Sequence, residues 1–200
     1  MKSLALLLCC SALVHAAGAA PLELATLSCE KYEGEVLPAA ASNPIADAIN
    51  TVMWLLGYSV AKAGGHAMSP DALGPFGFGL DNECKSNPSE PLMAALSIVK
   101  PETSRPMDLS EVPCSAFLRR HRGMMQTDTD SATTIMMWLF GYSEAKSGGT
   151  LFDADLLKAF ENALLEECTK HPDTGLLDAL KGLHWSTPRP KPPKAQPAAR

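Results

Sequence analysis

The chain is poor in aromatic residues, 6% of its 200 positions, and has no apolar run near the ~20 residues that a membrane-spanning helix needs. It contains no CxxC pair, which removes a thioredoxin-like redox site and a zinc knuckle. HExxH and HxH spacings are absent as well. His66, His121, His171 and His184 occur singly and read as surface histidines. With no nucleophile elbow and no phosphate-binding glycine loop, nothing calls for a catalytic residue, a metal or a cofactor. Basic charge is scarce too. Between Pro21 and Trp185 all 22 acidic residues face 12 lysines and arginines, about −10 in that stretch. Nucleic acid, which needs a clustered basic face, is an unsuitable partner.

What is present begins with an export signal. Met1-Lys2 supplies a short basic start, Leu4 to Val14 an apolar core, and Ala16-Ala17-Gly18-Ala19-Ala20 a small-residue cleavage region, so residues 1–19 read as a cleavable signal peptide. The mature chain is expected outside the cytoplasm. Removing Cys9 and Cys10 leaves Cys29, Cys84, Cys114 and Cys168, an even number in an oxidising compartment, where structural disulfides are the default. Counting alone leaves three pairings open.

A repeat narrows them. Shifted by 84 residues, Met53-Trp54-Leu55-Leu56-Gly57-Tyr58 falls on Met137-Trp138-Leu139-Phe140-Gly141-Tyr142, and Glu83-Cys84 falls on Glu167-Cys168. From Met53 to Leu96, 20 of 44 positions are identical. Cys29 and Cys114 correspond with a one-residue slip. Each unit thus holds an early and a late cysteine, and the economical pairing is Cys29 with Cys84 and Cys114 with Cys168. A period this long indicates tandem domains rather than a solenoid. The chain divides into unit one at 26–99, a linker at 100–108, unit two at 109–185 and a Pro-rich basic tail at 186–200, expected to be disordered.

Both units read as all-α. Asn43 to Ala63 has a proline only at its second position, Pro44, and ends at Gly64-Gly65, a helix stop that Gly148-Gly149 repeats. Gly57 and Gly141 each cost about 1 kcal/mol against alanine inside a helix, so their presence in both copies predicts close approach of another backbone. The next helix starts near Ser69-Pro70-Asp71 in unit one and Asp153-Ala154-Asp155 in unit two. Unit one then reads Leu73-Gly74-Pro75-Phe76-Gly77-Phe78-Gly79-Leu80, which predicts a broken or loose helix and a unit that opens first. Ser89 and Asp173 are candidate caps of a last short helix.

The order of features in each unit is a cysteine, a tryptophan-bearing helix, a Gly-Gly turn, a leucine-containing helix ending in cysteine, and Asn87-Pro88 or His171-Pro172 before a final helix. It resembles the HdeA/HdeB family of periplasmic acid-stress chaperones, present twice across roughly residues 26 to 185. The resemblance implies two tandem small helical domains with one disulfide each. It also implies an ATP-independent chaperone that loosens in strong acid and holds unfolding periplasmic client proteins. Members of that family are usually single-unit chains that form homodimers, and here the two units could pack as a pseudo-dimer within one chain. Trp54, Leu55, Leu56, Phe76, Phe78, Trp138, Leu139 and Phe140 are the candidate client-binding residues.

Charge arithmetic is compatible with such a switch. Without the signal segment the formal charge is about −6 and rises to about +20 once carboxylates protonate and four histidines charge, so balance gives way to self-repulsion. The disulfides do not titrate and keep a loosened chain tethered. The rival reading is a folded binding module for one specific partner, such as a periplasmic immunity protein of the Rap1a/Tai type. In that group a cysteine commonly lies close to the Gly-Tyr pair, and Met53 to Tyr58 contains none.

Overall fold

Short strands and capped helices alternate along the chain, in the same order in each half. A computed structural model describes residues 22–37, 46–100 and 106–183. The signal segment, the Pro-rich tail, most of the linker, and the starting residue expected for the first long helix, Asn43, lie outside the described residues. In the first half β1 (Leu22–Glu23) leads to α1 (Cys29–Lys31), which continues as a π-helical turn over Tyr32–Val36. Then come α2 (Ala46–Lys62), β2 (Ala67–Met68), α3 (Leu73–Ser86) and α4 (Leu92–Ile98). The second half repeats the order with β3 (Met107–Asp108), α5 (Cys114–Thr127), α6 (Thr129–Ser147), β4 (Leu151–Phe152), α7 (Ala154–Lys170) and α8 (Leu176–Gly182). The fold is mostly helical, with disulfides Cys29–Cys84 and Cys114–Cys168, consistent with two small helical disulfide-bonded domains.

The helix stops are chemical. Gly64 and Gly148 adopt φ of 77° and 75°, the left-handed conformation that lets a chain leave a helix while its amide still meets a helical carbonyl. Asp128 opens α6 by accepting from the Ser131 amide. Ser89 and Asp173 do not cap the last helices. Pro91 and Gly175 hold those positions without a side-chain bond, because Leu27 and Val112 already accept the first amides, those of Leu92 and Leu176, from across each half.

The glycine- and proline-rich helix of unit one is unbroken. Its proline, Pro75, lies in the first turn of α3, where amides have no intrahelical partner to lose. Gly79 lies where a side chain would press on Val99, so the missing Cβ lets α3 lie close to the end of α4. Met107–Asp108, at the end of the expected linker, pair with Ala67–Met68 as an antiparallel ladder.

The two halves meet through α2 and α6, the most extensive helix contact in the molecule. Thr134 donates to the Asn50 side chain at 3.4 Å near the helix starts, and the Lys146 ammonium donates to the Ala61 carbonyl at 3.1 Å near their ends. The two helices therefore run side by side in the same direction. Between these points a Cβ on Gly57 would overlap the backbone carbonyl of Trp138, and one on Gly141 would overlap that of Trp54. This reciprocal approach accounts for both glycines. Strand pairing is reciprocal too: β1 pairs with β4 and β2 with β3, each joining one half to the other. The Leu24 amide donates to the Thr150 carbonyl and the Leu109 amide to the His66 carbonyl, both at 3.0 Å.

A Gly57→Ala or Gly141→Ala substitution should lower stability by about 2 kcal/mol in urea unfolding, because overpacking against rigid backbone outweighs the ~1 kcal/mol gained in helix propensity. Gly123 lies inside α5 with open space around its missing Cβ, so Gly123→Ala is the control and should stabilise.

Candidate functional site

The apolar turns Met53–Leu56 and Met136–Phe140 lie at the centre of the α2–α6 contact, and their tryptophans are fully buried. Trp54 stacks on Tyr58 with ring centroids 5.3 Å apart, and Trp138 stacks on Tyr142 at the same distance. Trp54 also meets Phe140 and Phe152 edge-on, at 6.2 and 6.0 Å, so one aromatic layer spans both halves. Lys62 and Lys146 lie over the Tyr58 and Tyr142 rings. Burial raises the pKa of both phenols, with Glu144 and Glu23 adding to the rise at Tyr58, so each stays a neutral hydroxyl.

Of the eight residues singled out from the sequence, Trp54, Leu55, Leu56, Phe76, Trp138, Leu139 and Phe140 are buried, and Phe78 is 69% exposed. Six of them gather in the α2–α6 layer, Phe76 faces the core from α3, and Phe78 projects from α3 to solvent. The folded molecule therefore presents only Phe78 of this set. Neither indole N–H, that of Trp54 or of Trp138, has an acceptor among the described residues. A buried, unpaired donor costs about 1–3 kcal/mol, and water would satisfy both indoles if the helices separated.

Sequence reasoning missed the titratable pairs that link the first and third helices of each half. In the first half the Glu33 carboxyl, beside α1, hydrogen-bonds the Asp81 carboxyl on α3, and Lys85 donates to Asp81 at 2.7 Å. Burial, then repulsion and hydrogen bonding from Asp81, raise the Glu33 pKa, partly offset by Lys85. At the corresponding positions of the second half stand Leu118 and Leu165, packed against the core. There the linking pair is His121 on α5 and Glu161 on α7, 3.5 Å apart, with Lys158 bonded to Glu161 at 3.0 Å. His121 is thus buried, contrary to the surface reading. Its corresponding position in the first half is Val36, and a histidine on an otherwise apolar helix face was the signal available.

The acids with depressed pKa values lie in the second half. Asp108 is lowered by hydrogen bonds from the Ser110 hydroxyl and amide, and it also faces His66 at 3.2 Å across the β2–β3 pair. Asp128 is lowered by the Ser131 hydroxyl and amide that it caps, and Glu166 by Lys170. No group of three or more His, Cys, Asp or Glu among the described residues is placed to hold a metal ion. No helix among them is long and apolar enough to cross a membrane.

Residues 92–178 match the HdeA/HdeB family. The match begins at α4, runs through α5, α6 and α7, and ends within α8, so it encloses the disulfide Cys114–Cys168 and the Trp138 helix. No curated protein and no solved structure matches the chain.

Because the Glu33 pKa is raised, the folded state binds more protons there than the unfolded chain, and this group's effect on stability improves as pH falls through its folded value. Glu33→Gln should raise the stability of the protein at pH 7, measured by urea unfolding. The difference from the parent chain should shrink to nothing near pH 4, once the unfolded carboxyl also holds its proton.

Proposed function

We propose that this protein is a periplasmic acid-stress chaperone that loosens at low pH and binds unfolding client proteins through apolar surface, without ATP. The observation that carries the reading is the match of residues 92–178 to the HdeA/HdeB family, which supports a chaperone-type periplasmic function. The repeat, the second disulfide and the reciprocal α2–α6 packing support a duplicated unit, with the chain holding within itself the pairing that a single-unit relative makes with a second copy. The units extend over residues 26–99 and 109–185, joined by 100–108, behind an export signal at 1–19 and ahead of a Pro-rich tail at 186–200.

The client surface in this reading is the aromatic and leucine layer of α2 and α6, covered in the folded state, together with Phe78. One feature favours its release at any pH and another favours it in acid. The unpaired indole donors gain water when the helices part. Asp108 and Asp128 have depressed pKa values and stabilise the fold above the ordinary carboxylate range, and that stabilisation is lost as pH falls through their folded values. Asp128 lies in the second unit and Asp108 immediately before it. Glu33 acts in the opposite sense in the first unit, so loosening starts in the second unit. This reverses the order expected from the glycine-rich sequence of α3, which is a regular helix.

The oxidised protein should suppress aggregation of an unrelated client at pH 2–3 and not at pH 7, followed by light scattering. Phe78→Ser, which removes an exposed contact and leaves the core intact, should weaken that suppression about twofold with an unchanged neutral unfolding curve. Suppression that is equal at both pH values, or absent at both in a folded protein, would contradict the proposal.

A further inference from the structure

A groove of about 450 Å³ lies on the first half, between the C-terminal turns of α2 and α4. Its walls come from Tyr58, Lys62, Met93, Leu96, Val99 and Lys100. The volume is within the range of sites that take small organic ligands. Ser59 and Ser97 also line it, but their hydroxyls already donate to the Leu96 and Ala94 carbonyls, so they leave the walls effectively apolar. Lys62 and Lys100 are exposed, and among the described residues they have no hydrogen-bond or carboxylate partner and no carboxylate lines the groove. Lys146, the counterpart of Lys62, is instead bound to the Ala61 carbonyl. The two helix ends bring roughly half a negative charge each. Two ammonium groups outweigh them and leave the mouth positive. Glu23 and Glu144 act on the Tyr58 phenol but are not part of the lining.

We infer that this groove binds an anionic single-chain amphiphile, with the alkyl chain against Met93, Leu96 and Val99 and the carboxylate held between Lys62 and Lys100. A neutral ligand of the same shape would leave both ammonium groups without a carboxylate partner, and a cationic one would be repelled. The site belongs to the folded neutral protein and does not depend on the chaperone reading.

The test is isothermal titration of the oxidised full chain with decanoate at pH 7.5, below its micelle concentration, beside decanol and decyltrimethylammonium. Decanoate should bind one to one, about fourfold tighter than nonanoate for the added methylene, and more tightly than decanol, while the cationic amphiphile should not bind. The double variant Lys62→Gln/Lys100→Gln should bind decanoate about tenfold more weakly, and Ala63→Trp, which fills the groove from an exposed position, should abolish binding, both with unchanged circular dichroism. The inference is overturned if decanol binds as tightly as decanoate, if either variant binds like the parent, if several molecules bind per chain, or if decanoate gives no binding, as it would with the groove covered by another segment or a second copy.

Discussion

The close approach of α2 and α6 sets the geometry of everything around it. Two helices can bring their backbones into contact only where both lack a Cβ at the crossing, and Gly57 and Gly141 meet that condition reciprocally, each against the carbonyl of the other half's tryptophan. The tryptophan rings then lie within the layer between the helices, stacked on Tyr58 and Tyr142, with their N–H groups out of reach of any acceptor among the described residues. The outer helices follow from that layer. In each half the third and fourth helices pack on the central one, and a disulfide ties the first helix to the third.

The same arrangement separates what acid can disturb from what it cannot. Each disulfide closes a loop of about 55 residues and contributes on the order of 4 kcal/mol in the chain-entropy model at any charge state. The strand pairs and caps that join and open the second half rest in part on ionised carboxylates: Asp108 facing His66 between β2 and β3, and Asp128 at the start of α6. Dispersion and burial hold the aromatic layer and do not titrate. The halves also differ at corresponding sites: the Glu33 and Asp81 carboxyls of the first stand where the second has Leu118 and Leu165.

Much of this was legible in the sequence, for particular reasons. The repeat made the cysteine pairing economical, because each unit carried one early and one late cysteine. Gly57 and Gly141 signalled backbone contact because glycine is costly inside a helix and both copies kept it. The helix stops at Gly64 and Gly148 followed from left-handed capping. Other features were not legible. Composition misjudged α3, because helix propensity does not register that Pro75 falls in the first turn, where it costs little. Ser89 and Asp173 have capping chemistry, but backbone partners from Leu27 and Val112 had already satisfied the helix starts. The His121–Glu161 and Glu33–Asp81 pairs join residues 40 and 48 positions apart, and only packing of the first helix on the third brings them together.

The central claim is that the buried turns of α2 and α6 become the client surface in acid. Hydrogen exchange of the oxidised protein, read at Met53–Leu56 and Met136–Phe140 across an acid titration with and without a bound client, tests it most directly. The account predicts that α6 loses protection at a higher pH than α2 and α3, and that the client restores protection to both turns. Continued protection of both turns at a pH where the protein suppresses client aggregation would contradict it.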